Sequence, residues 1–535
     1  MEKRVIIAVV LSIAVILLYP YALKKFYPAK ELPAQNEQKA EIAQATAPQA
    51  EKTPTTSVKP INNAVPQTKQ TAKTVKEELT IVETPLYKAI FTNAGAGIKK
   101  WEIKKYKETQ ATDSKSIAIS AVTGAEASFK TLLSSKNQAE DIIFQPSKSA
   151  IIITKGQTAE LVYTATNNGM AIEKHYTFKP DSYTVGVETR VKNITNAPVT
   201  SELSTVLSAS LATAGVDSAN YHSGPIIQTK EKLLRQESKE PQISGNGKLK
   251  WLGLENKYFI EAYIPKKDTD INWSSEIPFA DAARAKVREQ LTLGPNETAS
   301  VAFDAFMGPK EYDLLISLKT GLEESIEFGW FSFLAKPLLV VLNFFQRYLN
   351  NYGIAIVLIT VIIKVIFYPL STYSMKSMKE MQKIQPQMAA LKEKYKNDKE
   401  KQNREMMDLY KRHKINPLSG CLPMVLQIPV FIALYEVLYV AIELRHTPLF
   451  LWITDLSAKD PYYVTPVIMG VTMFIQQKMT PTTIDPTQAK MMLLMPVIFT
   501  FMFLSFPSGL VIYWLINNVL SIAQQYYIQR STVKA

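Results

Sequence analysis

From residue 352 onward the chain carries five long apolar runs, at about 352–372, 421–442, 463–479, 491–506 and 509–528, joined by polar connections. An apolar run of roughly 20 residues matches the roughly 30 Å hydrocarbon thickness of a bilayer when coiled at about 1.5 Å per residue. Lipid offers the backbone no hydrogen-bond partners, so such a segment must satisfy its own N–H and C=O groups and is read as a helix. Mean hydropathy of the whole chain is near zero, an average that hides a polar first part. Within residues 1–23 a sixth run, from Val5 to about Leu23, lies just after Lys3 and Arg4. It lacks a small-residue cleavage site and continues into Tyr19, Pro20 and Tyr21. It is read as a retained anchor in preference to a cleaved signal peptide.

Between the anchor and the later runs the composition changes twice. Residues 24–76 are rich in Pro, Ala, Gln, Thr and Lys and poor in large apolar residues. Such a segment buries too little surface to offset its ordering entropy and is expected to be a flexible linker. Residues 77–320 alternate apolar and polar residues, as in "SYTVGVETRVKNITN", with frequent Asn, Gly, Pro and Asp. Period-two patterning with regular turn signals predicts antiparallel strands in a large β-sandwich. Residues 323–350 are apolar but interrupted by Lys336 and Pro337. They are expected to form an amphipathic helix along the membrane surface, the alternative being a further span. The predicted fold class is a polytopic α-helical membrane protein with six spans, a five-helix core over 352–530 and a large all-β soluble domain.

Charge placement sets the expected orientation. The connection 374–416 holds twelve Lys/Arg against six Asp/Glu and belongs in the cytoplasm by the positive-inside rule. Both termini then lie inside and residues 24–350 largely outside the membrane. The net charge of +13 is accounted for by this topology, and no basic face with interleaved aromatics suggests a nucleic-acid partner. The single cysteine, Cys421, and four scattered histidines signal neither a disulfide nor a metal site. No phosphate loop, HExxH or GxSxG is present, so neither a cofactor nor an enzymatic reaction is expected. Within 374–416, Met375, Met378, Met381 and Met388 lie among lysines such as Lys376 and Lys379, with Lys411 and Arg412 further on. This segment reads as a protruding helical hairpin. Its methionines serve either adaptable contact with a partner or the seam between the two helices.

One residue violates the pattern of the first span. Lys364 lies within "ITVIIKVIFYPLS", where a charged side chain costs roughly 2.5–3.5 kcal/mol on insertion scales. An intramembrane charge belongs by default in a bundle interior or wet cavity. Thr360 lies one turn away on the same face. Gln427 and Glu436 on the next span, and Asn517, Asn518, Gln524 and Gln525 on the last, add polarity. These residues suggest a hydrophilic groove that attracts an acidic polypeptide tail, with Glu436 as a counter-charge to Lys364 if the two pair.

At these residues the chain resembles the YidC/oxidase-assembly/Albino insertase family, in its form with a large periplasmic domain. The resemblance is carried by "WLGLENKYFIEAYIP" (251–265), "NPLSGCLPMVLQIPVFIALY" (416–435), "IELRHTPLFLWITDLSAKDPYYVTPVIMGVTMFIQQKM" (442–479) and "PVIFTFMFLSFPSGLVIYWLINNVLSIAQQ" (496–525). It implies a galactose-mutarotase-like periplasmic sandwich and a five-helix core around a groove open to the cytoplasm and to lipid. It implies that Lys364 is the groove cation, where the family more often has arginine, and that Thr360, Tyr513 and Trp514 face the groove. Implied partners are nascent inner-membrane proteins, the Sec translocon and lipids, with the hairpin as the contact for ribosome or signal recognition particle and its receptor. The tail after Arg530 is too short to carry over the basic ribosome contact of some members. Two competing readings remain: a small-solute transporter coupling Lys364 to Glu436, and a carbohydrate-binding envelope protein acting through the sandwich.

Overall fold

The computed structural model describes residues 77–531, apart from 120–125, 136–137, 212–215, 217–220, 238, 280–281, 414, 416–421 and 480–485. The anchor 1–23, the linker 24–76, Cys421 and the last four residues therefore lie outside the described residues. The strands come first in sequence. They are β1 (Leu79–Glu83), β2 (Tyr87–Thr92), β3 (Gly97–Lys107), β4 (Ser116–Ala118), β5 (Lys130–Ser135), β6 (Gln138–Asp141) and β7 (Gln145–Pro146). Next are β8 (Ala150–Ile152), β9 (Ala159–Asn167), β10 (Met170–Phe178), β11 (Thr184–Asn193), β12 (Val199–Ser210) and β13 (Gly224–Thr229). The series ends with β14 (Leu233–Arg235), β15 (Gln242–Glu255), β16 (Phe259–Pro265), β17 (Asp270–Phe279), β18 (Ala282–Leu293) and β19 (Thr298–Pro309).

These strands form two sheets. The smaller has the order β4-β3-β2-β1-β8, and the larger runs β6-β5-β12-β18-β17-β15-β16-β19-β11-β10-β9-β7, with β13 and β14 attached beside β15. Pairing is antiparallel except between β1 and β8. The period-two alternation survives in the burial: along β10 every second residue from Met170 to Phe178 is inside. The core is aromatic, with Tyr87 stacked on Trp101 at 3.8 Å and Tyr263 on Phe303 at 4.3 Å.

Several ionisable side chains lie inside this domain. The Lys174 ammonium donates to the carbonyls of Ala96 and Phe129 at 3.1 and 2.5 Å, and burial pulls it well below the usual lysine range. Glu261 accepts from Ser128 Oγ at 3.0 Å, its other oxygen has no partner among the described residues, and burial pushes it up to about 8. Lys310 meets Glu255 at 2.8 Å, both fully covered, and also donates to Tyr221 Oη and Ser325 O. That pair fixes the end of β19 to the 3₁₀ turn Leu322–Ser325 that leads into the helical part.

The helices are α1 (Tyr312–Ser317), α2 (Ser332–Leu349), α3 (Tyr352–Ile366), α4 (Tyr368–Lys383), α5 (Gln385–Lys394), α6 (Lys399–Arg412), α7 (Leu422–Val440), α8 (Val464–Met479), α9 (Pro486–Phe503) and α10 (Ser508–Ser531). Asn350, left-handed at φ 51°, ends α2, and the Asn351 side chain caps α3 by accepting from Ile354 N at 3.0 Å. α2 buries Ala335, Leu339, Leu342 and Asn343, while Phe333, Val340, Phe344 and Tyr348 stay exposed.

The apolar run 352–372 is not one helix. It breaks at Phe367, where α3 and α4 meet at 61°. Pro369 supplies the physical reason, since it cannot donate to the carbonyl four residues back. Among the described residues no single helix is both long and apolar enough to cross a membrane, and this bent pair is the one that passes jointly. The expected hairpin is three helices, with α4 running into it. Its seam holds Met381, Ile384, Met388, Leu409 and Ile415, packed by Leu391, Met406 and Tyr410.

Candidate functional site

α10 is the spine of the site. It packs against α3, α4, α7 and α8, and its residues Tyr513, Asn517, Ser521, Gln524 and Ile528 recur at helical spacing. These residues sort into layers along its axis.

The first layer, near the Ser508 end, is aromatic. Trp514 meets Phe431 edge-on at 4.8 Å, Phe503 at 5.4 Å and Phe499 at 6.2 Å, and Phe503 continues to Phe506 at 5.0 Å. α7, α9 and α10 each contribute to this plug. Among the described residues the Trp514 Nε1 is buried there without a hydrogen-bond partner, an unusual state for a donor in a closed interior, while Tyr513 lies next to Gln427.

The second layer holds the charge. The Lys364 ammonium donates to Ser521 Oγ at 2.6 Å and to Asn517 Oδ1 at 3.4 Å. Both partners are neutral, and no carboxylate among the described residues lies within ion-pair distance of it. Glu436 is elsewhere, toward the other end of α7: its carboxylate is 3.2 Å from where a Cβ on Gly329 would stand. Gln427, half-buried, is nine residues before Glu436 on α7, roughly 13 Å along the axis. Thr360 is buried, with its hydroxyl turned back onto the Ile356 carbonyl at 2.7 Å.

The third layer is amide and hydroxyl. Gln524 Nε2 donates to Ser371 Oγ at 2.7 Å and Thr372 Oγ1 at 3.0 Å, which ties the start of α4 to α10 just past the bend. Gln525 Nε2 donates to the Met479 carbonyl at 2.6 Å, and Asn518 reaches Thr472 on α8.

Of the residues singled out from sequence, the structure brings Lys364 and Asn517 into contact, sets Tyr513 and Trp514 a turn further along α10, and leaves Glu436 apart. Ser521, the nearest neighbour of the ammonium, was not singled out. Its signal was its spacing of four from Asn517 and three from Gln524. In the hairpin, Met381 and Met388 are buried, Met375 and Met378 are half-buried, and Lys376, Lys411 and Arg412 are exposed, while Lys379 is half-buried. Among the described residues no three of His, Cys, Asp and Glu converge as a metal site would require.

Comparison with known proteins gives the context. The family model described as YidC periplasmic domain matches residues 80–341, and the one described as 60Kd inner membrane protein matches residues 344–535. The membrane protein insertase YidC of Syntrophus aciditrophicus is 42% identical over 549 residues, covering 99% of this chain and 100% of that one. That of Citrifermentans bemidjiense is 44% identical over 540 residues, covering 99% of each. Among solved structures, an active YidC insertase with its first transmembrane domain resolved is 21% identical, covers 84% of this chain and 95% of its own, and has a TM-score of 0.38. A galactose mutarotase-like protein from Clostridium acetobutylicum covers 44% of this chain at 10% identity with a TM-score of 0.29. Identity above two-fifths along the whole length makes this chain a member of the YidC family of membrane protein insertases.

Proposed function

We propose that this chain inserts inner-membrane proteins by drawing their hydrophilic tails to Lys364. The observation that supports this most directly is an ammonium inside the helical part whose neighbours are a hydroxyl and an amide oxygen. A carboxylate at the centre of a bilayer costs roughly 2.5–3.5 kcal/mol. An ammonium about 4 Å away returns about 4 kcal/mol at an effective dielectric constant of about 20. One lysine therefore offsets about one carboxylate. The polar layers of α10 carry the rest of a short tail, and the attached apolar segment partitions into lipid, so the step needs no nucleotide hydrolysis.

The aromatic layer closes the groove on one side, which suits a route for a tail leaving sideways into lipid better than a solute channel. Glu436 stands away from Lys364, which disfavours the transporter reading. In this reading the anchor and the five later helical segments make six spans, with both termini cytoplasmic and residues 24–350 largely periplasmic. The core helices are short: α8 has 16 residues, about 24 Å at 1.5 Å each, so the bilayer thins around them. The hairpin recruits ribosome or targeting factor through Lys376, Lys379, Lys411 and Arg412, and the Sec translocon docks alongside.

The test is photocrosslinking in native membranes. Gln427, half-buried on α7 and next to Tyr513, carries the crosslinker, and exposed Phe501 is the lipid-facing control. A stalled nascent chain should crosslink to Gln427, and the yield should fall several-fold in Lys364→Leu. Crosslinks from Phe501 with none from Gln427 would move the route out of the groove.

A further inference from the structure

Strand β18 carries a second row of positive charge, on the sandwich. Ala283, Ala285 and Val287 point into the core, and Arg284, Lys286 and Arg288 point the other way. β18 is bonded on both sides, to β12 and β17, so the row lies within the sheet and not at an edge. Its cross-strand neighbours are Ser208 and Glu276 opposite Arg284, Val206 and Ser274 opposite Lys286, and Ser204 and Asn272 opposite Arg288, so Lys286 and Arg288 face no carboxylate across the strands. The result is a trough of about 450 Å³ whose lining carries Lys130, Arg284, Lys286 and Arg288 against Glu126 and Glu276.

Arg284 already holds carboxylates. Its Nε and Nη2 fork onto both oxygens of Glu126, and its Nη1 donates to Glu276 at 3.2 Å. Lys286 and Arg288 hold none among the described residues, and the Arg288 Nε is buried without an acceptor. Like charges side by side on one sheet face are destabilising, and a buried donor left unpaired costs about 1–3 kcal/mol. An anionic ligand in the trough would relieve the repulsion.

We propose that this trough binds a short acidic stretch of polypeptide in extended conformation. Alternate residues of a strand are about 6.8 Å apart, so the Lys286–Arg288 spacing equals that of carboxylates at positions i and i+2 of an extended peptide. The Glu126 carboxylate on Arg284 shows this mode of docking in the chain's own sequence. The trough presents no aromatic platform for stacking bases, which disfavours single-stranded nucleic acid. The source of the ligand, a hydrophilic tail delivered to this side by the groove, rests on the function proposed above, but the binding itself does not.

The experiment uses the full chain in lipid nanodiscs and a fluorescein-labelled ten-residue peptide of alternating Asp and Ser, followed by anisotropy. Saturable binding is expected, weakened at least tenfold in Lys286→Glu/Arg288→Glu and again by raising salt. The milder Lys286→Gln/Arg288→Gln should weaken it several-fold with the melting temperature unchanged, which separates lost binding from lost folding. Lys364→Leu should bind the peptide as the parent does. If it does so while nascent-chain crosslinks persist unchanged, the groove reading fails and the trough stands. Equal binding by parent and trough variants, or loss of binding in Lys364→Leu, overturns the proposal. So does inorganic polyphosphate, or a peptide with its Asp residues in one block, binding as tightly as the alternating peptide.

Discussion

An ammonium bonded, among the described residues, to Ser521 and Asn517 and to no carboxylate keeps its charge available, and that sets what substitution should do. Lys364→Arg retains the charge and adds a planar fork of donors that matches a carboxylate, so insertion of a protein with an acidic tail should persist. Lys364→Leu should reduce it at least tenfold for a tail with one or two acids, and leave a tail of neutral residues nearly unaffected. Protease protection of the tail in inverted vesicles reads this out, and equal losses for both tails would refute an electrostatic role. A second residue gives a pH signature. Glu261 is held as the acid up to about 8, against an ordinary value of 4.5. Between those limits the folded chain keeps a proton that the unfolded chain has released. Stability should therefore fall as pH rises through that window, by about 1.4 kcal/mol per unit from this group. Glu261→Gln removes the dependence, so its melting temperature relative to the parent should climb from pH 5 to pH 8; a constant difference would show that the site does not titrate there.

At the scale of elements, the hairpin methionines separate into two roles that the sequence left open. Met381 and Met388 close the seam against Leu409. Met388→Asp puts a charge into that seam, a change of the kind that costs several kcal/mol. Hydrogen exchange should then accelerate over 385–412 and stay unchanged in the sandwich; unaltered protection across the hairpin would remove Met388 from the seam. The strands were legible because burial alternates with period two, and the sandwich follows from that alone. The break at Phe367 was not, because hydropathy runs on through it. Only Pro369 marks it, and proline also occurs within α7 and α9 at Pro429 and Pro496. Lys364 stood out because a charge in an apolar run is costly. Ser521 did not, since a serine in a helix is ordinary until its spacing from Asn517 and Gln524 is set against the lysine across from it.

The whole molecule joins its sandwich to its helices by contacts that no pattern announces, because most pair a side chain with a distant backbone. Arg445 donates to the carbonyls of Lys107 and Glu108 at 2.8 and 3.1 Å, Gln110 Nε2 to the Thr454 carbonyl at 2.6 Å, and the Tyr312 amide to Glu443 at 3.0 Å. The Lys257 ammonium lies 3.8 Å from the ring centre of Tyr439. The groove layers are built wholly from α3, α4 and α7–α10, so deleting residues 80–310 should leave most insertion intact; a carbohydrate-binding role centred on the sandwich predicts its loss. The junction instead sets where the sandwich stands over the core. Arg445 is the test, because it is mostly buried and its two acceptors are fixed backbone. Arg445→Ala leaves both carbonyls unpaired, whereas Arg445→Lys restores at most one bond. Nitroxides on exposed Gln290 and Tyr462 report the separation by electron–electron resonance. The parent should give a narrow distance distribution, Arg445→Ala a broad one, and Arg445→Lys one between them. If Arg445→Ala stays as narrow as the parent, the Lys310–Glu255 pair and the 3₁₀ turn behind it hold the sandwich in place without help from Arg445.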